Sequence, residues 1–212
     1  MNLYLRLIRV VVAALLGCRL TLFGDSVVRF RVWPNDLDFN LHMNNGRYLT
    51  VMDLGRTDLM LRAGLAGLLW RRRWAPVLGG ATIRYRRSLA AFAGYRLRSR
   101  LLGWDEKWLY LEQSFEDAGG AVAAHAVVRA VFRRRGGTVP TAEIAAALGW
   151  QGPSPELPAY VQALRDGEDA MREGLRDRPR AATTRGPSST SGPCAGSCSG
   201  AAPRCGRRTA RR

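Results

Sequence analysis

A chain of 212 residues, 47% of them hydrophobic, is long enough to bury one sizeable core with appendages, so one main domain is expected. Its 33 basic against 17 acidic residues give a net charge of +16, which invites a nucleic-acid partner through counterion release. The distribution argues against that class: residues 178–212 hold eight Arg, no acid and no aromatic, so half of the excess sits in a tail without a stacking surface.

Along the chain, residues 3–23 are apolar but interrupted by Arg6, Arg9 and Arg19. The uncharged stretch 10–18 falls far short of the roughly 20 residues a bilayer span needs. An amphipathic helix, packed on the domain or lying on a membrane surface, is preferred to a cleaved signal or a lipoprotein signal ending at Cys18. Residues 27–33 then alternate as a half-buried strand does, with Val28, Phe30 and Val32 on one face. After a polar loop, Asn44 or Asn45 can cap a helix over residues 47–63, where Tyr48, Met52, Gly55 and Leu59 share a face, and Gly64 stops it. A shorter helical or irregular link fills 65–74.

Strands follow in series. Ala81, Ile83 and Tyr85 alternate with Thr82, Arg84 and Arg86, and Tyr95, Leu97 and Ser99 alternate with Arg96, Arg98 and Arg100. A turn at 103–106 leads to a strand at 108–115, and a turn at 117–120 leads to one in which Val122, Ala124, Ala126, Val128, Ala130 and Phe132 share a face. Short turns imply an antiparallel meander. One strand, one long helix and four further strands make an α+β fold. Helices are expected at 141–148 and 159–176, and the Arg/Gly/Ser/Pro-rich tail from Arg178 has nothing to bury, so it is expected to be disordered. The domain limits are therefore 1–25 (apolar N-terminal helix), 26–140 (main domain), 141–177 (helical appendage) and 178–212 (tail). Cys194, Cys198 and Cys205 lack metal-ligand spacing and have no nearby His, so neither a metal nor a cofactor is expected, and the cysteine usage suits a reducing, cytoplasmic setting.

The chemistry concentrates in thirteen residues between the first strand and the long helix: Asp36, Leu37, Asp38, Phe39, Asn40, Leu41, His42, Met43, Asn44, Asn45, Gly46, Arg47 and Tyr48. In an extended segment Asp38, Asn40 and His42 would project to one side and surround a reacting atom. A helix starting near Asn45 or Gly46 would aim free N–H groups and a partial positive charge at the same place, as an oxyanion requires. Asn, Asp and Gly also favour turns and caps, a role that suits Asn35, Asp36 and Asn44. His125, the only other His, is expected to be structural.

This segment resembles the D-x-D-x-N-x-H-x-N-N-x-x-Y signature of hotdog-fold acyl thioesterases, the group containing 4-hydroxybenzoyl-CoA and plant acyl-carrier-protein thioesterases. Leu41 to Asn45, Arg100 to Asp105, Tyr110 to Glu112 and Pro155 to Ala159 are similar to the thioesterase superfamily member six-like proteins. The resemblance implies an antiparallel sheet of about five strands wrapped around one long central helix, with C-terminal helices. It implies hydrolysis of acyl-CoA or acyl-carrier-protein thioesters by Asp38, Asn40 and His42. Asp38 would be nucleophile or general base, and the amide near Asn45 or Gly46 would polarise the carbonyl. Asn44, Asn45, Gly46 and Tyr48 are the expected substrate contacts, with Arg84, Arg86 and Arg87 as a basic rim for phosphates; a solvated strand face explains those Arg equally well. A homodimer or dimer of dimers is implied too. The competing expectation is a non-catalytic acyl- or lipid-binding protein held at membranes through residues 1–25; nucleic-acid binding through the tail ranks last.

Overall fold

The computed structural model describes residues 3–176. Helix α1 (Leu3–Leu16) precedes strand β1 (Ser26–Arg31). A single 3-10 turn (Pro34–Asp36) and a loop lead to α2 (Asn45–Arg62) and α3 (Leu65–Arg72). Then come β2 (Ala75–Tyr85), β3 (Gly94–Trp104), β4 (Leu109–Asp117), β5 (Val122–Arg134), the two-residue β6 (Gly137–Thr138), α4 (Thr141–Ala147) and α5 (Ala159–Arg176). The basic tail, with Cys194, Cys198 and Cys205, lies outside the described residues.

Helix α2 starts where the Asn44 side chain accepts the Gly46 N–H (2.8 Å) and ends before Gly64, which takes the left-handed conformation at φ 76°. Its inward residues Tyr48, Val51, Met52, Gly55 and Leu59 recur every three or four positions, which sets one stripe against the sheet. Gly55 permits the approach: a Cβ there would meet Leu97 Cδ2 and Ser99 Oγ at 2.6 Å. In that tight layer the Gln113 side chain donates to the Met52 carbonyl (3.0 Å) and Ser99 Oγ (2.8 Å), so the buried amide is not left unpaired. Met52, Leu97, Phe115 and Val128 form the core between helix and sheet.

The sheet is antiparallel throughout, in the order β1-β3-β4-β5-β2. Only β3, β4 and β5 form the expected meander, because β2 pairs with β5 at the far edge. Segment 86–93 must therefore cross three strand spacings, about 14 Å. Eight extended residues span up to about 26 Å, so the crossing is easy and passes over the start of α2. This curled sheet around one helix is the hotdog arrangement.

Two expected boundaries also move, and one strand is buried more fully than expected. Strand β2 begins six residues before Ala81, since Pro76 is tolerated on an open edge and Gly79 forms a bulge. A Cβ on Gly79 would sit 2.0 Å from the Trp108 ring, so a larger residue has no room there. Strand β3 continues through Trp104 to a tighter turn. Strand β5 buries both faces, because Val127 packs under Leu157 and Val161 of the segment that leads into and includes α5.

The two sheet edges differ. Along β1, Arg9 of α1 donates to the Arg29 carbonyl (2.6 Å) and Arg6 to that of Arg31 (3.4 Å), which closes that edge. Strand β2 has no neighbour on its outer side among the described residues.

Candidate active site

Residues 36–44 fold into a small hairpin rather than the expected extended segment. Pro34 starts the 3-10 turn, and the Trp33 N–H donates to Asp36 Oδ2 (2.9 Å). The Asp36 carboxylate is buried against Arg6 of α1, both 2% exposed, and Asn44 N–H donates to the Asp36 carbonyl (2.8 Å). Leu37 then bridges Met43, and Asp38 N–H donates to the His42 carbonyl (2.9 Å). Asp38 Oδ1 accepts the N–H groups of Asn40 (2.9 Å) and His42 (3.2 Å), while Leu41 closes the tip at φ 59°. Asp favours such local bonds, so the turn follows from the residue type.

Asp38 and His42 thus stand opposite each other at the hairpin neck, both partly buried, where opposed residues project to one face. Asn40 sits at the exposed tip between Phe39 and Leu41, which are 94% and 68% exposed. The expectation that all three converge is corrected: the hairpin brings together two of them, because its reversal falls at Asn40.

At the start of α2 the Gly46 N–H is taken by the Asn44 cap, so Gly46 is not the free donor that was expected and Asn44 is occupied by the helix. Among the described residues no acceptor is bonded to the Asn45 N–H, the first of the helix, which leaves it as the donor at the positive end of α2. Tyr85, at the end of β2, donates its OH to the Asn45 carbonyl (3.1 Å) and fixes that residue. Tyr48 is 2% exposed, edge-on to Tyr85 (5.2 Å) and Phe115 (4.8 Å). It is the floor beneath the junction rather than its surface. Burial pushes the Tyr48 phenol up, against a hydrogen bond from the Leu89 backbone, and burial also raises Tyr85.

Segment 86–93 forms the remaining wall: Met43 N–H donates to the Leu89 carbonyl (2.9 Å), and His42 bridges Ala90. Arg86 and Arg87 anchor their N–H groups on the Ala123 carbonyl (2.8 and 3.0 Å) and expose their side chains next to Tyr85. Arg84 departs from this group. It alternates with Tyr85 and pairs in register with His125, which places it on the opposite sheet face. There His125 Nε2 lies 2.7 Å from Glu112 Oε1, which also accepts from Tyr160 OH (2.9 Å), while Arg100 holds Oε2 (2.6 Å).

A second feature is a cavity of about 270 Å³ beside the C-terminal half of α2, walled by Met60, Leu78, Trp104, Leu109, Phe132 and Ile144, with Asp53, Arg56 and Thr57 also lining it. No residue of the hairpin lines it. Asp53 is eight residues past Asn45, so the cavity begins about 12 Å down the helix from the junction. Sequence reading missed both the cavity and the supports Arg6, Tyr85 and Leu89. The alternation that marks β2 flags Tyr85 as inward, but no local signal marks Leu89 or the cavity.

A family model described as the thioesterase-like superfamily matches residues 32–163. Protein THEM6 of Danio rerio is 47% identical over 92 residues, covering 43% of this chain and 46% of that protein. Thioesterase lcsJ of Purpureocillium lilacinum is 27% identical over 184 residues, covering 74% of this chain and 60% of its own. The chain thus spans about half the length of these curated relatives. A Staphylococcus aureus protein solved in complex with CoA shares the fold at a TM-score of 0.52 and 14% identity, over 68% of this chain and 95% of that one.

Proposed function

We propose that this chain, which belongs to the thioesterase-like superfamily, hydrolyses acyl-CoA thioesters where the hairpin meets α2. The observation that carries the reading is the hairpin neck, which pairs a carboxylate-bearing residue with an imidazole-bearing one in the loop that leads directly into a long helix whose first N–H is uncommitted. Asp38 directs water at the carbonyl carbon and takes its proton, and His42 positions the water; in the alternative covalent route the Asp38 carboxylate attacks the carbon, the thiolate departs to leave a mixed anhydride, and the water then hydrolyses that anhydride and supplies the proton. The oxyanion is held by the Asn45 N–H and the helix dipole. Collapse breaks the C–S bond, the proton goes to the departing thiolate, and free acid and thiol are released. Asn40, at the tip, is left out of the proton transfer.

Two features favour a particular substrate class. Arg86 and Arg87 carry exposed guanidinium groups with no carboxylate partner among the described residues, and guanidinium forks match phosphate oxygens, as a CoA moiety would require. The apolar cavity farther down α2 suits the end of an acyl chain that runs along the helix, so a long acyl group is favoured over acetyl. Free-thiol release from a series of acyl-CoA esters tests both points. Turnover that rises from acetyl to long-chain esters is expected; no release from any ester contradicts the enzyme reading, and release from acetyl-CoA alone contradicts the assignment of the cavity.

A further inference from the structure

We propose that the outer face of α1 seats the folded protein on an anionic phospholipid surface. The helix is apolar almost all round. Its inner side packs Val10 and Ala14 into the domain and buries Arg6 against Asp36. Its outer side carries Leu5, Ile8, Val12, Leu15 and Leu16, between 49% and 84% exposed, with Tyr4 at 71%. At 100° per residue these six positions fall within about one-third of the helix circumference, opposite the buried ones. A contiguous stripe of this kind on an otherwise folded protein marks an interaction surface.

The length and charge of the segment select the occupant. Fourteen residues extend about 21 Å, less than the roughly 30 Å hydrocarbon layer, and no helix among the described residues is long and apolar enough to cross a membrane. The helix therefore lies in the interface plane, its outer side chains entering the acyl boundary. Residues 3–24 contain Arg6, Arg9 and Arg19 and no acid; Arg6 is consumed by Asp36, Arg9 is exposed with its guanidinium against the Arg29 carbonyl and the Phe30 ring, and Arg19 is exposed three residues beyond the helix. Arg29 and Arg31, on the strand edge that α1 covers, are exposed as well, and the nearest acid along the chain, Asp25, is paired with Arg98 (2.6 Å). An apolar stripe flanked by cations that no acid among the described residues neutralises complements anionic headgroups. It opposes a second copy of itself, since a two-fold contact would set the same Arg against each other with no acid to pair them.

Co-sedimentation of the full chain with phosphatidylcholine vesicles, with and without about one-third phosphatidylglycerol, tests this proposal. The protein is expected to bind the anionic vesicles at least about tenfold more tightly than the neutral ones and to be released by salt. The Ile8→Glu/Leu15→Glu variant, with unchanged circular dichroism and thiol release, is expected to lose that binding by a similar factor. Equal binding by variant and parent would place the contact elsewhere and overturn the proposal. So would an absence of binding to either vesicle, or a fall in solution mass caused by the variant without lipid, which would make the stripe a subunit interface.

Discussion

Asp36 and Asp38 sit two residues apart and meet opposite environments. Asp36 is buried with Arg6, and removing one member of such a pair strands a charge in the core at a cost of about 3–5 kcal/mol. Asp36→Ala is therefore expected to lower unfolding free energy by that amount in urea titrations and to loosen the hairpin, since Asn44 hangs on the Asp36 carbonyl. Asp38 is held only by local backbone N–H groups, so Asp38→Asn, which keeps an acceptor oxygen, should leave stability within about 0.5 kcal/mol. Asn44→Ala removes the α2 cap, for an expected loss of about 1 kcal/mol. The residue types in the loop made the candidate site legible, because acids, amides and an imidazole gather there between a strand and a helix. Their geometry was not legible: the reversal at Asn40 depends on Leu41 adopting a positive φ and on the distant support of Leu89 and Arg6, which no spacing within the loop encodes.

Among the elements, α2 was readable from end to end because its cap, its three-to-four-residue apolar period and its stopping glycine are all local signals. Strand β2 was readable only from Ala81 onward. Pro76 and Gly79 look like breakers, and their tolerance comes from the open edge and from the Trp108 ring that fills the space a side chain would take. Helix α5 was placed correctly, but its role in covering the outer face of β5 depends on tertiary contacts. One of those contacts predicts a pH response. Glu112 is held down to about 2, first by its hydrogen bond with His125 and then by Tyr160 and Arg100. A carboxyl held below its unfolded value contributes stability that is complete above about 4.5 and is lost as pH falls toward 2. Glu112→Gln should flatten the fall in stability across that acid window; a parent-like slope in the variant would dismiss the network as a stabiliser of the α5 contact.

For the whole molecule the asymmetry of the sheet edges matters most. Guanidinium groups of α1 close the β1 edge, whereas β2, eleven residues long, has an outer edge that no strand among the described residues pairs, with Val77 and Leu78 39% and 50% exposed. Open edges invite pairing, and pairing two β2 strands about a two-fold axis would join the sheets of two copies. Light scattering is expected to give a dimer for the full chain and a monomer for Val77→Pro/Leu78→Lys, since both changes blunt an edge; a monomeric parent would remove this assembly. Thioester cleavage is assigned to the hairpin neck that carries Asp38 and leads into α2. The most direct test is the rate of free-thiol release from a long-chain acyl-CoA by Asp38→Asn beside its parent, with both proteins shown to be equally folded. A loss of at least about 100-fold is expected for removal of a general base, whereas unchanged turnover in the folded variant would contradict the account.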